Sequence, residues 1–211
     1  MRSNKCMMNK ILFLFLFVST TVFAQVEHGI LVGGGIGLSL QDNQNIIPPS
    51  TEFQHNHQLK GNGMIGYRFR FFPERKSFCD LDLTIGFQGM KTKKYYPYYS
   101  NEGQGNGEFV GAEGKSFHEF IMPISISGSW NYRFSDKFYG GLGIAPTLYV
   151  QPKVVFDLGI KAKIGYRVSP CCELSLSYQY GCLNTLKHFS EPSLGRKGHI
   201  SDLMLSVYVP F

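Results

Sequence analysis

The sequence predicts an all-β fold, an eight-stranded antiparallel up-and-down transmembrane β-barrel. Three observations point there. Apolar and polar residues alternate with a period of two along most of the chain beyond residue 28, the side-chain period of a strand whose two faces meet different surroundings. One of those faces carries no Lys, Arg, Asp or Glu in any segment. Connections between the segments are alternately long and tight, as in barrels of the outer-membrane type. Composition agrees: of 211 residues, 43% are hydrophobic, 15% aromatic and only 17% charged, which excludes a disordered polar chain. A helical membrane protein is excluded too, because no apolar run of about 20 residues follows residue 24.

Residues 1–24 form a secretory signal, with Arg2, Lys5 and Lys10 ahead of the apolar run Ile11–Val18 and Val22-Phe23-Ala24 before Gln25. That run is too short to span a bilayer. Cleavage after Ala24 leaves 25–211 as one barrel domain. It removes three of the 21 basic residues and none of the 15 acidic ones, so the formal charge falls from +6 to +3. Nucleic-acid binding thereby loses its electrostatic argument.

Eight strands follow, at 28–40, 58–72, 78–90, 117–134, 138–150, 154–168, 172–183 and 199–211. In the first, Gly33, Gly35 and Gly37 share the inward parity and leave room for larger side chains opposite; the run has no following helix, so it is not a phosphate loop. The second sets Leu59, Ile65, Tyr67, Phe69 and Phe71 against Lys60, Asn62, Arg68 and Arg70. The third sets Leu81, Leu83, Ile85 and Phe87 against Asp80, Asp82, Thr84 and Gln88, and the fourth Ile124, Ile126, Trp130, Tyr132 and Phe134 against Ser125, Ser127, Ser129, Asn131 and Arg133. The sixth opposes Phe156, Leu158, Ile160, Ile164, Tyr166 and Val168 to Asp157, Lys161, Lys163 and Arg167.

The polar face thus collects an interior charge network of Arg68, Arg70, Asp80, Asp82, Arg133, Lys161, Lys163, Arg167 and Glu173, with Lys60, Glu119, Asp157 and Asp202 on the same parity. A soluble ligand-carrying barrel needs the reverse, with charges outside. The charge-free face therefore looks into lipid. Phe69, Phe71, Tyr132, Phe134, Phe138, Tyr166 and Phe211 gather at the tight-turn end of that face, and Phe120 and Phe156 at the other, as interfacial girdles. Loops at 41–57, 91–116, 151–153 and 184–198 lie outside the cell and both termini are periplasmic. Lys93-Lys94-Tyr95-Tyr96-Pro97-Tyr98-Tyr99 and the glycines after it make 91–116 a collar against anionic headgroups followed by a solvated loop.

The segments Phe120-Ile121-Met122-Pro123-Ile124-Ser125-Ile126, Trp130-Asn131-Tyr132-Arg133-Phe134 and Phe138-Tyr139-Gly140-Gly141-Leu142-Gly143 resemble the central hairpin of the small Bacteroidetes outer-membrane β-barrel domains of the PorT-like group. Gly165-Tyr166-Arg167, Leu174-Ser175-Leu176-Ser177-Tyr178-Gln179-Tyr180-Gly181 and the terminal Leu205-Ser206-Val207-Tyr208-Val209-Pro210-Phe211 are similar to its last strands. The resemblance implies an integral protein of a Gram-negative outer membrane, exported through the inner membrane, with Phe211 as the signal read by the outer-membrane assembly machinery. Its partners are outer-membrane lipids and that machinery, and some relatives serve envelope secretion complexes.

Eight strands leave a lumen filled by side chains, so no open pore is expected. The reading is of a structural or binding module with recognition in its outer loops, without catalysis or cofactor. The enzyme alternative rests on His199-Ile200-Ser201, which resembles the His-x-Ser of outer-membrane lipid A deacylases, Ser201 as nucleophile and His199 as base; no Glu follows Ser201 to orient the base. Metal candidates are His55, His57 and His188, brought near one another by barrel closure but without tight ligand spacing. Cys79, Cys171, Cys172 and Cys182 are expected to form no obligatory disulfide.

Overall fold

The computed structural model describes residues 26–41, 56–99, 109–189 and 197–211. The signal segment and His55 lie outside them. Nine strands form one antiparallel sheet: β1 (Val26–Gln41), β2 (Asn56–Phe71), β3 (Ser77–Tyr99), β4 (Phe109–Ile121), β5 (Pro123–Arg133), β6 (Phe138–Tyr149), β7 (Val155–Ser169), β8 (Cys172–Gly181) and β9 (Gly198–Pro210), with one helical turn, α1 (Leu186–Phe189), between β8 and β9. The ring closes where β1 pairs with both β2 and β9. β4 and β5 both lie along β3, against Gln88–Tyr99 and Ser77–Ile85 respectively. They are two halves of one stave, so the wall is a closed eight-stranded barrel.

That stave corrects the single strand expected at 117–134. The ladder is interrupted at Met122, where Pro123 has no N–H to donate. A larger correction concerns 91–116, expected as loop. β3 and β4 continue as an extended hairpin, paired from Lys91↔His118 to Tyr99↔Phe109. Among the described residues β2 accompanies β3 as far as Asn56↔Lys93, and beyond it β3 and β4 continue as a paired ribbon that projects from the barrel. Thr92 and four tyrosines within 95–99 favour a strand more than the neighbouring lysines and Pro97 oppose one.

Alternating burial marks the two faces. In β7, Asp157, Gly159, Lys161, Lys163 and Gly165 are buried while Phe156, Leu158, Ile160, Ala162 and Ile164 are exposed. Away from the mouth, where Gln58, Lys60, Lys93, Lys115 and His118 are exposed, the large exposed side chains of the wall are apolar, a belt that only a bilayer can cover without cost. Leu59 departs from the expected parity. A register shift between Leu59 and Asn62 adds a residue to β2, which turns Leu59 inward and leaves Lys60 exposed. The lumen is narrow enough to require glycine: a Cβ on Gly165 would occupy the Tyr139 ring, and one on Gly37 the Gln88 amide. At the turn between β2 and β3, Phe72 adopts φ 60°, a left-handed conformation that a bulky side chain holds only under local constraint. Its carbonyl accepts from the Arg75 N–H at 3.0 Å, and the Arg75 guanidinium lies over its ring.

Candidate functional site: a sealed lumen below a projecting hairpin

Register assembles the charges in the lower lumen. Arg68 stands opposite Asp82, and Arg70 opposite Asp80, across the β2–β3 ladder. Each guanidinium meets its carboxylate with two N–H donors, Arg68 to Asp82 at 2.7 and 3.0 Å and Arg70 to Asp80 at 2.8 and 3.2 Å. Glu173 reaches in from β8 and accepts from Arg70 at 2.7 and 2.8 Å and from the Tyr139 hydroxyl. From β7, Lys161 donates to Asp82 at 3.2 Å and Lys163 to Asp80 at 2.5 Å. The Tyr208 ring lies against both guanidinium groups, at 5.0 and 5.3 Å.

These groups are almost wholly buried. Charges held away from water persist only when paired and hydrogen-bonded, and fork-on-fork guanidinium–carboxylate contacts are the geometry that does so best. Arg167 is drawn to Glu27 on β1 at 2.5 Å, on the rim of the cluster. Arg133 is not brought to a carboxylate among the described residues. It donates to the Pro73 carbonyl at 2.7 Å and lies over the Phe78 ring, tying β5 to the β2–β3 turn.

Above the ion pairs lies a polar chamber of about 60 Å³, bounded by Ser127 and Lys161 below and Tyr149 above. Asp202 is its acidic member and accepts from the Asn62 amide at 2.6 Å and the Gln88 amide at 2.8 Å. The space is sufficient for a few waters. Over it sits an apolar plug: Leu59, Met90, Ile121, Tyr149 and Ile200 project inward from the wall and pack against Leu186 and Phe189 of α1. The Tyr149 and Phe189 rings meet edge-on at 5.7 Å. Sequence reasoning missed this plug, since a four-residue helix has no periodicity to read. Its one signal is the pair of apolar residues three apart, Leu186 and Phe189, in a loop with only Leu194 besides as a large apolar residue.

The other candidates fall as follows. Ser201 stands between Leu38 and Tyr180 in the ladders and is fully buried. Its Oγ and the His199 Nδ1 each have no hydrogen-bond partner among the described residues, so no nucleophile–base contact exists between them; the His199 ring stacks on Tyr180 at 5.4 Å. His57 lies inside the mouth, with Nδ1 3.0 Å from the Thr92 hydroxyl, and His188 is exposed on α1. Among the described residues no group of three or more His, Cys, Asp or Glu is placed to hold a metal. Cys79, Cys171, Cys172 and Cys182 are free thiols. Phe211 closes the ring at its seam: its N–H donates to the His28 carbonyl at 3.0 Å and its ring packs on His28 and Tyr67.

A closed barrel with an apolar outer belt, aromatic girdles and its charges sealed inside is the architecture of an integral outer-membrane protein. No family model matches the chain, and no curated protein matches it significantly. Solved structures similar to it include Ail, the attachment invasion locus protein of Yersinia pestis, in complex with the heparin analogue sucrose octasulfate (12% identity, 89% of this chain and 99% of that one, TM-score 0.41). OprG from Pseudomonas aeruginosa is also similar (10% identity, 88% and 94% covered, TM-score 0.42). So is the outer membrane protease OmpT from Escherichia coli (12% identity, 89% and 95% covered, TM-score 0.41). By its own closed sheet and lipid-suited outer face, this chain is a small β-barrel of the outer-membrane type.

Proposed function

We propose that the protein is a binding module of the outer membrane, neither pore nor enzyme, that presents the β3–β4 ribbon and its neighbouring outer loops to a partner outside the cell. The observation that carries this reading is the double closure of the lumen, by ion pairs below and by the α1 plug above. Transport through the wall is thereby blocked, and what the fold holds out to solvent is the ribbon. The likeness of the β5–β6 residues to PorT-like barrels supports placing the chain near that group, and an accessory role in an envelope complex is one form that such binding takes. The lipid A deacylase reading is disfavoured by the burial of Ser201 and by its lack of contact with His199.

The test has two arms. Reconstituted in planar bilayers, the full mature chain is expected to give no solute-sized conductance; a stable open channel overturns the reading. Crosslinking from a photoreactive residue at 116 in whole cells is expected to capture an envelope or extracellular protein, whereas the same probe at Ile126, on the lipid face, captures lipid alone. Lipid A acyl release by wild type that is lost in Ser201→Ala would instead establish the enzyme.

A further inference from the structure

The lipid-facing wall is not smooth. Across β5 to β9 it carries an apolar hollow of about 610 Å³, within the roughly 300–1,000 Å³ range of small-molecule sites. One small residue makes its floor. Trp130, Leu142, Ala162, Tyr178 and Leu203 stand successively opposite one another across four ladders, and Ala162 is the short member of that row. One row nearer the β5–β6 turn run Tyr132, Gly140, Ile164 and Leu176, where the Phe134 ring lies over Gly140 and bounds the hollow on that side. The walls rise on either side, with Leu142, Ile164 and Trp130 each more than half exposed.

The hollow lies in the half of the belt that faces the periplasm. Its lower end meets the girdle, where the Phe138 and Tyr166 rings pack at 4.7 Å. Below that girdle the tight turn presents Lys137, whose side chain is exposed and whose ammonium makes no ion pair among the described residues. An apolar trough that ends at an aromatic interface and an available cation matches an amphiphile with an acyl chain and a phosphate. A chain lying over Ala162, between Leu142, Tyr178 and the Phe134 ring, gains wall contacts that a convex surface cannot give, while the phosphate sits at the depth where Lys side chains reach the headgroups.

We propose that this hollow is a specific site for one phospholipid of the periplasmic leaflet, its acyl chain over Ala162 beside the Phe134 ring and its phosphate at Lys137. The inference rests on the outer face being lipid-covered and goes beyond general lipid contact, since it assigns one position and one headgroup chemistry.

Native mass spectrometry of the mature chain in mild detergent tests it, with phosphatidylglycerol and a diacylglycerol of the same chains as probes. One phosphatidylglycerol is expected to stay bound, with about tenfold preference over the diacylglycerol. Filling the trough with Ala162→Phe should cut retention about tenfold, and Lys137→Glu should abolish the headgroup preference. Folding of each variant is checked by heat-modifiable gel mobility. Should Ala162→Phe fail to fold, Lys137→Glu decides, because its position is an exposed turn. Unchanged retention in a folded Ala162→Phe protein, unchanged preference in Lys137→Glu, or a dimer in place of the lipid-bound monomer overturns the site. A folded, membrane-located barrel that holds no lipid sinks this site alone; a protein absent from the membrane fraction sinks the barrel reading with it.

Discussion

Arg70 shows what a single side chain does in this lumen. Its guanidinium joins Asp80 on the neighbouring strand to Glu173 on the far wall, with the Phe78 and Tyr139 rings against it. Arg70→Met removes the cation and leaves two carboxylates buried with fewer partners, so a loss of about 3–5 kcal/mol is expected from urea unfolding in detergent micelles. Arg133→Met removes a donor to one carbonyl at a wetter rim, and the expected loss is about 1 kcal/mol. Equal effects of the two substitutions would contradict the separation of Arg133 from the ion pairs. The sequence shows both arginines on one parity and cannot rank them, because rank depends on which residue lies across the ladder.

Among the elements, the wall was legible and the mouth was not. Strands spanning the bilayer are read from parity, since one face must be apolar and the other must hold every charge; β7 displays this from Phe156 to Gly165. Outside the bilayer that constraint lapses. The ribbon of β3 and β4 has no lipid side to enforce alternation, so lysines and a proline masked two well-paired strands. At Leu59 the extra residue of the bulge reversed the parity, which alternation alone does not reveal. α1 was hidden by its length. Its role is testable: Leu186→Ser with Phe189→Ser should loosen the plug and make a thiol placed at Ile200 reactive to water-soluble maleimide, yet leave conductance at zero, because the ion pairs below still block the lumen. Conductance appearing in that variant would mean that the plug is the only seal.

At the scale of the molecule, position and not composition makes this a membrane protein. A mean hydropathy of −0.10 says nothing of lipid until residues are sorted by face. Ile160 and Lys161 are adjacent, the first exposed on the belt and the second bonded to Asp82. Exchanging them keeps composition, length and net charge unchanged. The swapped protein is nevertheless expected to lose its folded, heat-modifiable form, since a Lys at mid-belt costs roughly 2–4 kcal/mol and Asp82 forfeits one of its cations. A swapped protein that folds normally would refute the assignment of the two faces.

The interruption at Met122 has a mechanical consequence. Above it, the one ladder that β4 shares among the described residues is with β3, because β6 accompanies this stave only up to Pro123↔Tyr149. A load applied at the ribbon tip therefore travels as shear down one continuous strand and spreads into the ladder that β3 shares with β2. It does not pry the ring apart at the plug. Under the binding role proposed above, the molecule is a mast stepped into a rigid hull, suited to holding an external body at a fixed point on the membrane and poorly suited to relaying its arrival inward.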